Sequence, residues 1–125
     1  MKWVILQAQS CVLPHRQLQQ AGIRETGGTG IYKGIEEFKQ VAGVVFVDVR
    51  TPEEYQEGHI PGSRNIPLQQ LDKIADIAEN KDTVLYVYCH SGTRSRQATA
   101  LLQHMGYRHV NNIGGIAAYR GKVER

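Results

Sequence analysis

A cysteine between a strand-like segment and a helix-like segment carries the chemistry that this sequence suggests. The cysteine loop, residues 89–95, reads Cys89-His90-Ser91-Gly92-Thr93-Arg94-Ser95. Backbone N–H groups in such a short polar turn point inward, and the N-terminus of the following helix adds positive potential. Both effects favour a thiolate over a thiol. Free cysteines are usually small buried hydrophobic residues, but that role gains nothing from a polar, glycine-bearing turn. We therefore interpret Cys89 as a nucleophile.

The spacing between the cysteine and the arginine separates two chemistries that use a nucleophilic thiolate. Cysteine phosphatases, which hold a tetrahedral phosphate, place five residues between the two. Here there are four, His90 to Thr93, so the ring of backbone amides should be narrower and suit one extra sulfur atom bonded to Cys89. A cysteine phosphatase or an arsenate reductase is the less favoured enzyme alternative. Arg94 would oppose the helix dipole, so we expect it to hold a bound anion or to brace the loop.

The composition is typical of a single globular domain. Hydrophobic residues make up 41% and charged residues 22% of the 125 residues, both ordinary values. The net charge is +3 and the basic residues are scattered, without the stripe of a nucleic-acid-binding protein. No apolar run approaches membrane-spanning length, and two distant cysteines do not form a disulfide framework. We expect a monomer with neither a nucleic-acid partner nor a membrane partner.

The N-terminal part of the chain is the least informative. We divide the sequence into an extension of unknown role, residues 1–30, and a domain, residues 31–125. The apolar run at the start is broken at Gln7, too early for a secretory signal, and predicts a terminal strand or an arm packed on the domain. We expect a cytoplasmic protein, or a periplasmic one if the native N-terminus is longer or processed. Cys11 is expected to be inert; the alternative is a resolving cysteine for Cys89.

Strand patterns and helix patterns alternate along the rest of the chain. A β-branched run at 44–49 and an apolar run at 83–88 predict strands buried on both faces of a parallel sheet. Short strands are predicted at 31–33, 63–66 and 109–112. Helices are predicted at 34–42 and 96–105. A further short helix is predicted to begin at the capping box of Thr51 and Glu54, and another is predicted from the apolar stripe Leu71, Ile74, Ala75 and Ala78. The pattern predicts a parallel sheet between helices, with ligands at the carboxyl ends of the strands, where Cys89 lies.

Several motifs in a fixed order resemble the single-domain rhodaneses, a family of sulfurtransferases. The resemblance covers about residues 31–119 and rests on Asp48-Val49-Arg50, Glu54-Tyr55, Gly58-His59-Ile60-Pro61-Gly62-Ser63, Asn65-Ile66-Pro67, the segment from Tyr88 to Ser95, Gly106-Tyr107 and Gly114-Gly115. The chain is most similar to small bacterial thiosulfate sulfurtransferases, including the periplasmic phage-shock type. The resemblance implies a five-stranded parallel sheet with helices on both faces. Many members carry a tryptophan after the glycine pair, where this chain has Tyr119.

The resemblance also implies roles for individual residues. Cys89 would form a persulfide, and Arg94 would bind the anionic group of the sulfur donor or acceptor. The backbone N–H groups of the substrate-binding residues His90, Ser91, Gly92, Thr93, Arg94 and Ser95 would stabilise the negative charge. We expect structural support of the site from Asp48, Arg50, Glu54 and His59. A general-base role for His59 or His90 is less favoured, because a stabilised thiolate needs no base.

The reaction that these roles imply is a double displacement. Sulfur would pass from a small anionic donor such as thiosulfate to Cys89, and from there to cyanide, a thiol or a sulfur-acceptor protein. It requires neither a metal ion nor an organic cofactor. The non-enzyme alternative is a persulfide-carrier or redox-sensing module that does not turn over.

Overall fold

The computed structural model describes residues 30–125 of the chain. The helices in order are α1 (Ile31–Gln40), α2 (Pro52–Glu57) and α3 (Thr93–His104), with 3-10 helical segments at Leu68–Asp76 and Ile116–Ala118. The strands are β1 (Val45–Asp48), β2 (Arg64–Asn65), β3 (Val84–Cys89) and β4 (His109–Gly115). The predictions of an N-terminal arm and an inert Cys11 lie outside the described residues, as does the predicted extension over residues 1–30 apart from Gly30.

The strands form one parallel sheet in the order β2-β1-β3-β4. All six residues of the central strand β3 are buried, as expected for a parallel strand covered on both faces. Asp48 of β1 pairs with Tyr88 of β3, and Tyr88 pairs with Gly114 of β4. The carboxyl ends of three strands therefore lie side by side next to Cys89. The predicted α/β fold with a parallel sheet is confirmed, with four strands in residues 30–125 where five were predicted.

Each face of the sheet packs against its own helices. On one face, Val87 and Leu85 are buried together with Ala98 and Leu102 of α3 and with Leu71 of the first 3-10 segment. On the other face, the aromatic residues Phe46, Tyr86 and Tyr88 are buried with Ile31 of α1 and Ile113 of β4. The two hydrophobic layers hold β3 and its terminal cysteine rigidly in the middle of the domain.

The predicted strand at 31–33 is wrong, because α1 already begins at Ile31. Ile31 and Gly34 are both buried on one side of this helix, which is the spacing of a helical face. A Cβ at Gly34 would lie 2.7 Å from Cγ2 of Ile113. The glycine thus lets α1 approach β4 closely, and this packing overrides the local strand preference of an Ile-Tyr pair.

The predicted stripe after β2 is correct in position but not in helix type. Leu71, Ile74 and Ala78 are buried, whereas Ala75 is exposed. Leu68–Asp76 has 3-10 geometry on either side of a kink at Gln70, and three residues per turn align Leu71 with Ile74 and rotate Ala75 outward. The helix α3 begins at Thr93, three residues before its predicted start, so the cysteine loop and the helix overlap. Among residues 30–125, no helix has both the length and the apolar character needed to cross a bilayer.

Candidate active site

Cys89 ends β3 and is only 1% exposed. Gly92 has a φ of 104°, a left-handed conformation that favours glycine. This turn directs the backbone N–H of Gly92 toward Cys89, and its nitrogen lies 3.0 Å from the sulfur atom. The glycine in the loop is therefore needed to aim a hydrogen-bond donor at the sulfur.

The surroundings of Cys89 favour its thiolate. Burial by itself raises the pKa of the thiol. The side chain of Ser95 and the backbone N–H groups of Ser95, Gly92 and Ser91 act in the opposite direction, and the pKa of Cys89 lies below its ordinary value. Donors aimed at a partly desolvated sulfur stabilise the charged form more strongly than water-exposed donors do. The loop therefore increases the fraction of Cys89 that is present as an anionic nucleophile at a given pH.

A hydrogen-bond network that includes Asn112 holds Ser95 beside the sulfur. The Ser95 hydroxyl oxygen is 3.5 Å from Cys89 Sγ, and it donates to the side-chain oxygen of Asn112 over 2.7 Å. The same Asn112 oxygen accepts the backbone N–H of Gly114 over 2.9 Å. Asn112 was placed in the last strand by the sequence but was not recognised as part of the site. Its signal was one of two consecutive amides, Asn111 and Asn112, shortly before the glycine pair in the same strand.

The glycine pair at the end of β4 packs directly against the cysteine loop. The carbonyl oxygen of His90 accepts the backbone N–H of Ala117 over 3.0 Å. A Cβ on Gly115 would lie 2.1 Å from that same oxygen and 2.6 Å from Cα of Ser91. The second glycine is thus required by the close approach of two backbone segments. The side chain of His90 itself is exposed, as is that of Thr93.

Arg94 of the cysteine loop forms an ion pair with Glu54 of α2. Its two terminal nitrogens donate to the two carboxylate oxygens over 2.7 and 3.1 Å, and each side chain is 32% exposed. Glu54 also completes the predicted capping box with Thr51. The hydrogen bonds from Arg94, opposed in part by burial and helped by Thr51, lower the pKa of Glu54 to about 2. The arginine predicted to hold a donor anion thus holds a carboxylate of the chain itself.

A buried ion pair lies at the carboxyl end of β1, beside the strand that ends at Cys89. Asp48 and Arg50 are 0% and 5% exposed, and their closest nitrogen–oxygen distance is 2.7 Å. The same nitrogen of Arg50 donates to the carbonyl of Gly58 over 2.8 Å. The Asn65 amide donates to the backbone carbonyls of both Asp48 and Arg50. These bonds fasten the segment that carries Glu54 to the carboxyl end of β1.

His59 lies in the same region, and both of its ring nitrogens lie close to protein groups. Its Nδ1 is 2.8 Å from the backbone oxygen of Tyr55, and the two rings stack with centroids 3.6 Å apart. Its Nε2 is 3.6 Å from a carboxylate oxygen of Glu124. Among the described residues, the sulfur is surrounded by Ser91, Gly92 and Ser95, whereas His59 contacts Tyr55 of α2 and Glu124.

Comparison with known proteins places this geometry in a family. The model of the rhodanese-like domain matches residues 32–122. The thiosulfate sulfurtransferase PspE of Escherichia coli is 44% identical over 72 residues, which cover 57% of this chain and 69% of PspE. The putative sulfur carrier protein YrkF of Bacillus subtilis is 37% identical over 95 residues, which cover 72% of this chain and about half, 51%, of YrkF.

The solved structures lead to the same family. A structure described as a rhodanese with anions from E. coli superposes with a TM-score of 0.62 and 38% sequence identity. The superposition covers 66% of this chain and 98% of that one. Because the family model spans most of the chain and includes the loop that surrounds Cys89, the chain belongs to the rhodanese-like domain family.

Proposed function

We propose that this chain is a sulfurtransferase whose Cys89 takes a sulfane sulfur from thiosulfate, or a related anionic donor, and passes it to a thiophilic acceptor. The observation that carries the proposal is the 3.0 Å contact between the Gly92 nitrogen and the Cys89 sulfur, in a loop that lowers the pKa of the thiol. It supports a thiolate nucleophile in a turn too short for phosphate. The name of PspE, a thiosulfate sulfurtransferase, is consistent with this donor.

The reaction proceeds by two displacements at sulfur. The Cys89 thiolate attacks the outer sulfur of thiosulfate, the S–S bond breaks, and sulfite leaves with the bonding electron pair. Cys89 then carries a persulfide whose terminal sulfur is negatively charged. A cyanide ion or a thiolate attacks that terminal sulfur, and the Cys89 thiolate is released. Thiocyanate or a new persulfide is the product, and neither step requires a metal ion or an organic cofactor.

We assign to the cysteine loop the stabilisation of negative charge during these steps. The negative charge stays within reach of the backbone N–H groups of residues 90–95, of which those of Ser91, Gly92 and Ser95 already act on the sulfur. In an oxyanion hole, one well-placed donor is worth about 2.7–4 kcal/mol in the transition state. Arg94 is assigned to the charged group of the donor, and Asp48, Arg50, Glu54 and His59 to the support of the loop. We place this function in a domain spanning residues 31–125.

A second candidate is a persulfide carrier that delivers its sulfur only to one docked partner. The name of YrkF, a putative sulfur carrier, favours it. The same loop would serve, since holding a persulfide needs the same donors as forming one. The two candidates differ in turnover with small acceptors.

Intact-protein mass spectrometry tests the proposal. Thiosulfate should add one sulfur atom, and cyanide should then remove it with release of thiocyanate. Cys89→Ser should gain no sulfur although it retains Cys11, whereas Cys11→Ser should behave as the parent protein. If the added sulfur resides on Cys11 or no sulfur is added, the proposed function is wrong.

The same preparation separates the alternatives. Stoichiometric loading without thiocyanate production would favour the persulfide carrier. Protection of Cys89 from alkylation by phosphate or arsenate, but not by thiosulfate, would favour a phosphatase or an arsenate reductase.

A further inference from the structure

The guanidinium of Arg94, in the cysteine loop, already has an anionic partner. Arg94 donates to both oxygens of Glu54 over 2.7 and 3.1 Å. This bidentate arrangement is the one that an arginine also uses to bind sulfur or phosphorus oxyanions. Both side chains are one-third exposed, so an incoming anion can reach them. A donor that uses this edge of the guanidinium must compete with the carboxylate.

Glu54 is held in place by contacts that are independent of Arg94. One carboxylate oxygen accepts the backbone N–H of Thr51 over 3.0 Å and lies 3.2 Å from its hydroxyl oxygen. The side chain of Thr51 in turn accepts the backbone N–H of Glu54. This reciprocal cap fixes the carboxylate at the N-terminus of α2. The internal anion therefore stays near the loop when a donor approaches.

The charges around Arg94 discriminate between donors that carry one negative charge and donors that carry two. One guanidinium is subject to two negative charges: it is paired with the carboxylate of Glu54, and the charge of Cys89 also acts on it. A donor with two negative charges meets more repulsion here than a donor with one. The charge of Asp48 also acts on Arg94, but Asp48 is paired with Arg50 over 2.7 Å, so this pair adds little net charge.

We propose that Glu54 is a specificity-determining residue: as an internal competitor for Arg94, it selects against doubly charged sulfur donors in favour of singly charged ones. The proposal rests on the proposed function, because it concerns the donor of the first displacement. Thiosulfate and the methanethiosulfonate anion are a matched pair of probes. Both offer a terminal sulfane sulfur; thiosulfate releases sulfite and carries two charges, whereas methanethiosulfonate releases methanesulfinate and carries one.

The test compares Glu54→Gln with the parent protein in steady-state kinetics with both donors and cyanide. Glutamine retains the capping box but removes the charge. The KM for thiosulfate should fall by about two- to five-fold, the range of an exposed ion pair, and the KM for methanethiosulfonate should change less. Glu53→Gln is the matched control, because Glu53 is an exposed residue of the same helical turn and its removal should leave the ratio of kcat/KM for the two donors unchanged.

The Arg94→Ala background tests whether the competition takes place at the guanidinium. There, adding Glu54→Gln should change the donor ratio less than it does in the parent protein, because the competition for the guanidinium is gone and only the direct repulsion between Glu54 and the donor remains. The proposal is overturned if Glu54→Gln leaves the donor ratio at the parent value, or if the ratio changes equally with and without Arg94. Failure of both donors to load Cys89 of the parent protein would instead contradict the proposed function, so the two failures can be told apart.

Discussion

Replacing Gly115 with alanine should disable the cysteine loop although Gly115 is not part of it. Gly115 has φ −129° and ψ 144°, which any residue adopts, so the substitution causes no backbone strain. The added Cβ would lie 2.1 Å from the carbonyl oxygen of His90 and 2.6 Å from Cα of Ser91. Ordinary contact begins at 3.4 Å, so the oxygen has to move by the difference, roughly 1.3 Å.

Both stability and reactivity should suffer, because the overlapping atoms are backbone atoms and cannot rotate away. Overpacking of this kind costs about 1–3 kcal/mol of the free energy of unfolding. Displacing the loop by about 1 Å also moves its N–H groups relative to Cys89 and should slow sulfur loading by about 100-fold. The readouts are urea denaturation, the rate of persulfide formation and the rate of Cys89 alkylation by iodoacetamide at neutral pH.

Gly106→Ala is the control that separates a loss of stability from a displacement of the cysteine loop. Gly106 has a φ of 105°, so alanine there costs about 1–2 kcal/mol in backbone strain. Gly106 follows the C-terminal end of α3. A Cβ at this position would meet only the flexible side chain of Lys81, at 3.7 Å. This variant should lose stability while Cys89 keeps its reactivity. Parent-like loading and alkylation rates in Gly115→Ala would refute the argument that this close approach positions the loop.

Three further predictions concern ionised groups. Asp48→Ala should lower the free energy of unfolding in urea by about 3–5 kcal/mol, because it leaves a buried guanidinium unpaired; a loss no greater than that of the exposed Arg108→Ala would contradict this. The pKa of Glu54 is lowered from 4.5 to about 2, so its contribution to stability is present above pH 4.5 and is lost as the pH falls toward 2. Glu54→Gln should flatten that part of the pH–stability curve, and an identical slope in both proteins would exclude the effect. Ser95→Ala should raise the pKa of Cys89, because the rotatable Ser95 hydroxyl can turn from Asn112 to donate to the thiolate and so offsets burial, and an unshifted pH midpoint of alkylation would assign the effect to the backbone alone.

The fold could be predicted largely from local patterns in the sequence. The β-branched and apolar runs correctly predicted β1 and β3, and the end of β3 correctly placed Cys89 at the edge where ligands bind in parallel sheets. The capping box was also correct, because it depends on Thr51 and Glu54 alone. The first element was wrong, because the strand preference of Ile31 and Tyr32 is weaker than the packing of α1 on β4.

The contacts of the site could not be predicted to the same degree. Arg94 and Glu54 are 40 residues apart, and their pairing depends on how two different strand ends meet in space. A parallel sheet brings its carboxyl ends together, but it does not determine which side chains there form hydrogen bonds. Asn112 escaped recognition for the same reason, since its contacts with Ser95 and Gly114 exist only after β4 has paired with β3.

The environment of Cys89 links its ionisation to the folding equilibrium. Since the pKa of the thiol is lower in the native protein than its ordinary value, the native state binds that proton more weakly than the unfolded chain does. The resulting stabilisation is complete above the pKa of the unfolded thiol and disappears as the pH falls through the native pKa. Active sites commonly reduce stability, yet here the reactive ionisation state is the one that favours the native fold. A persulfide on Cys89 would keep a negative charge beside the same donors, so ionisation and folding should stay coupled in the sulfur-loaded protein.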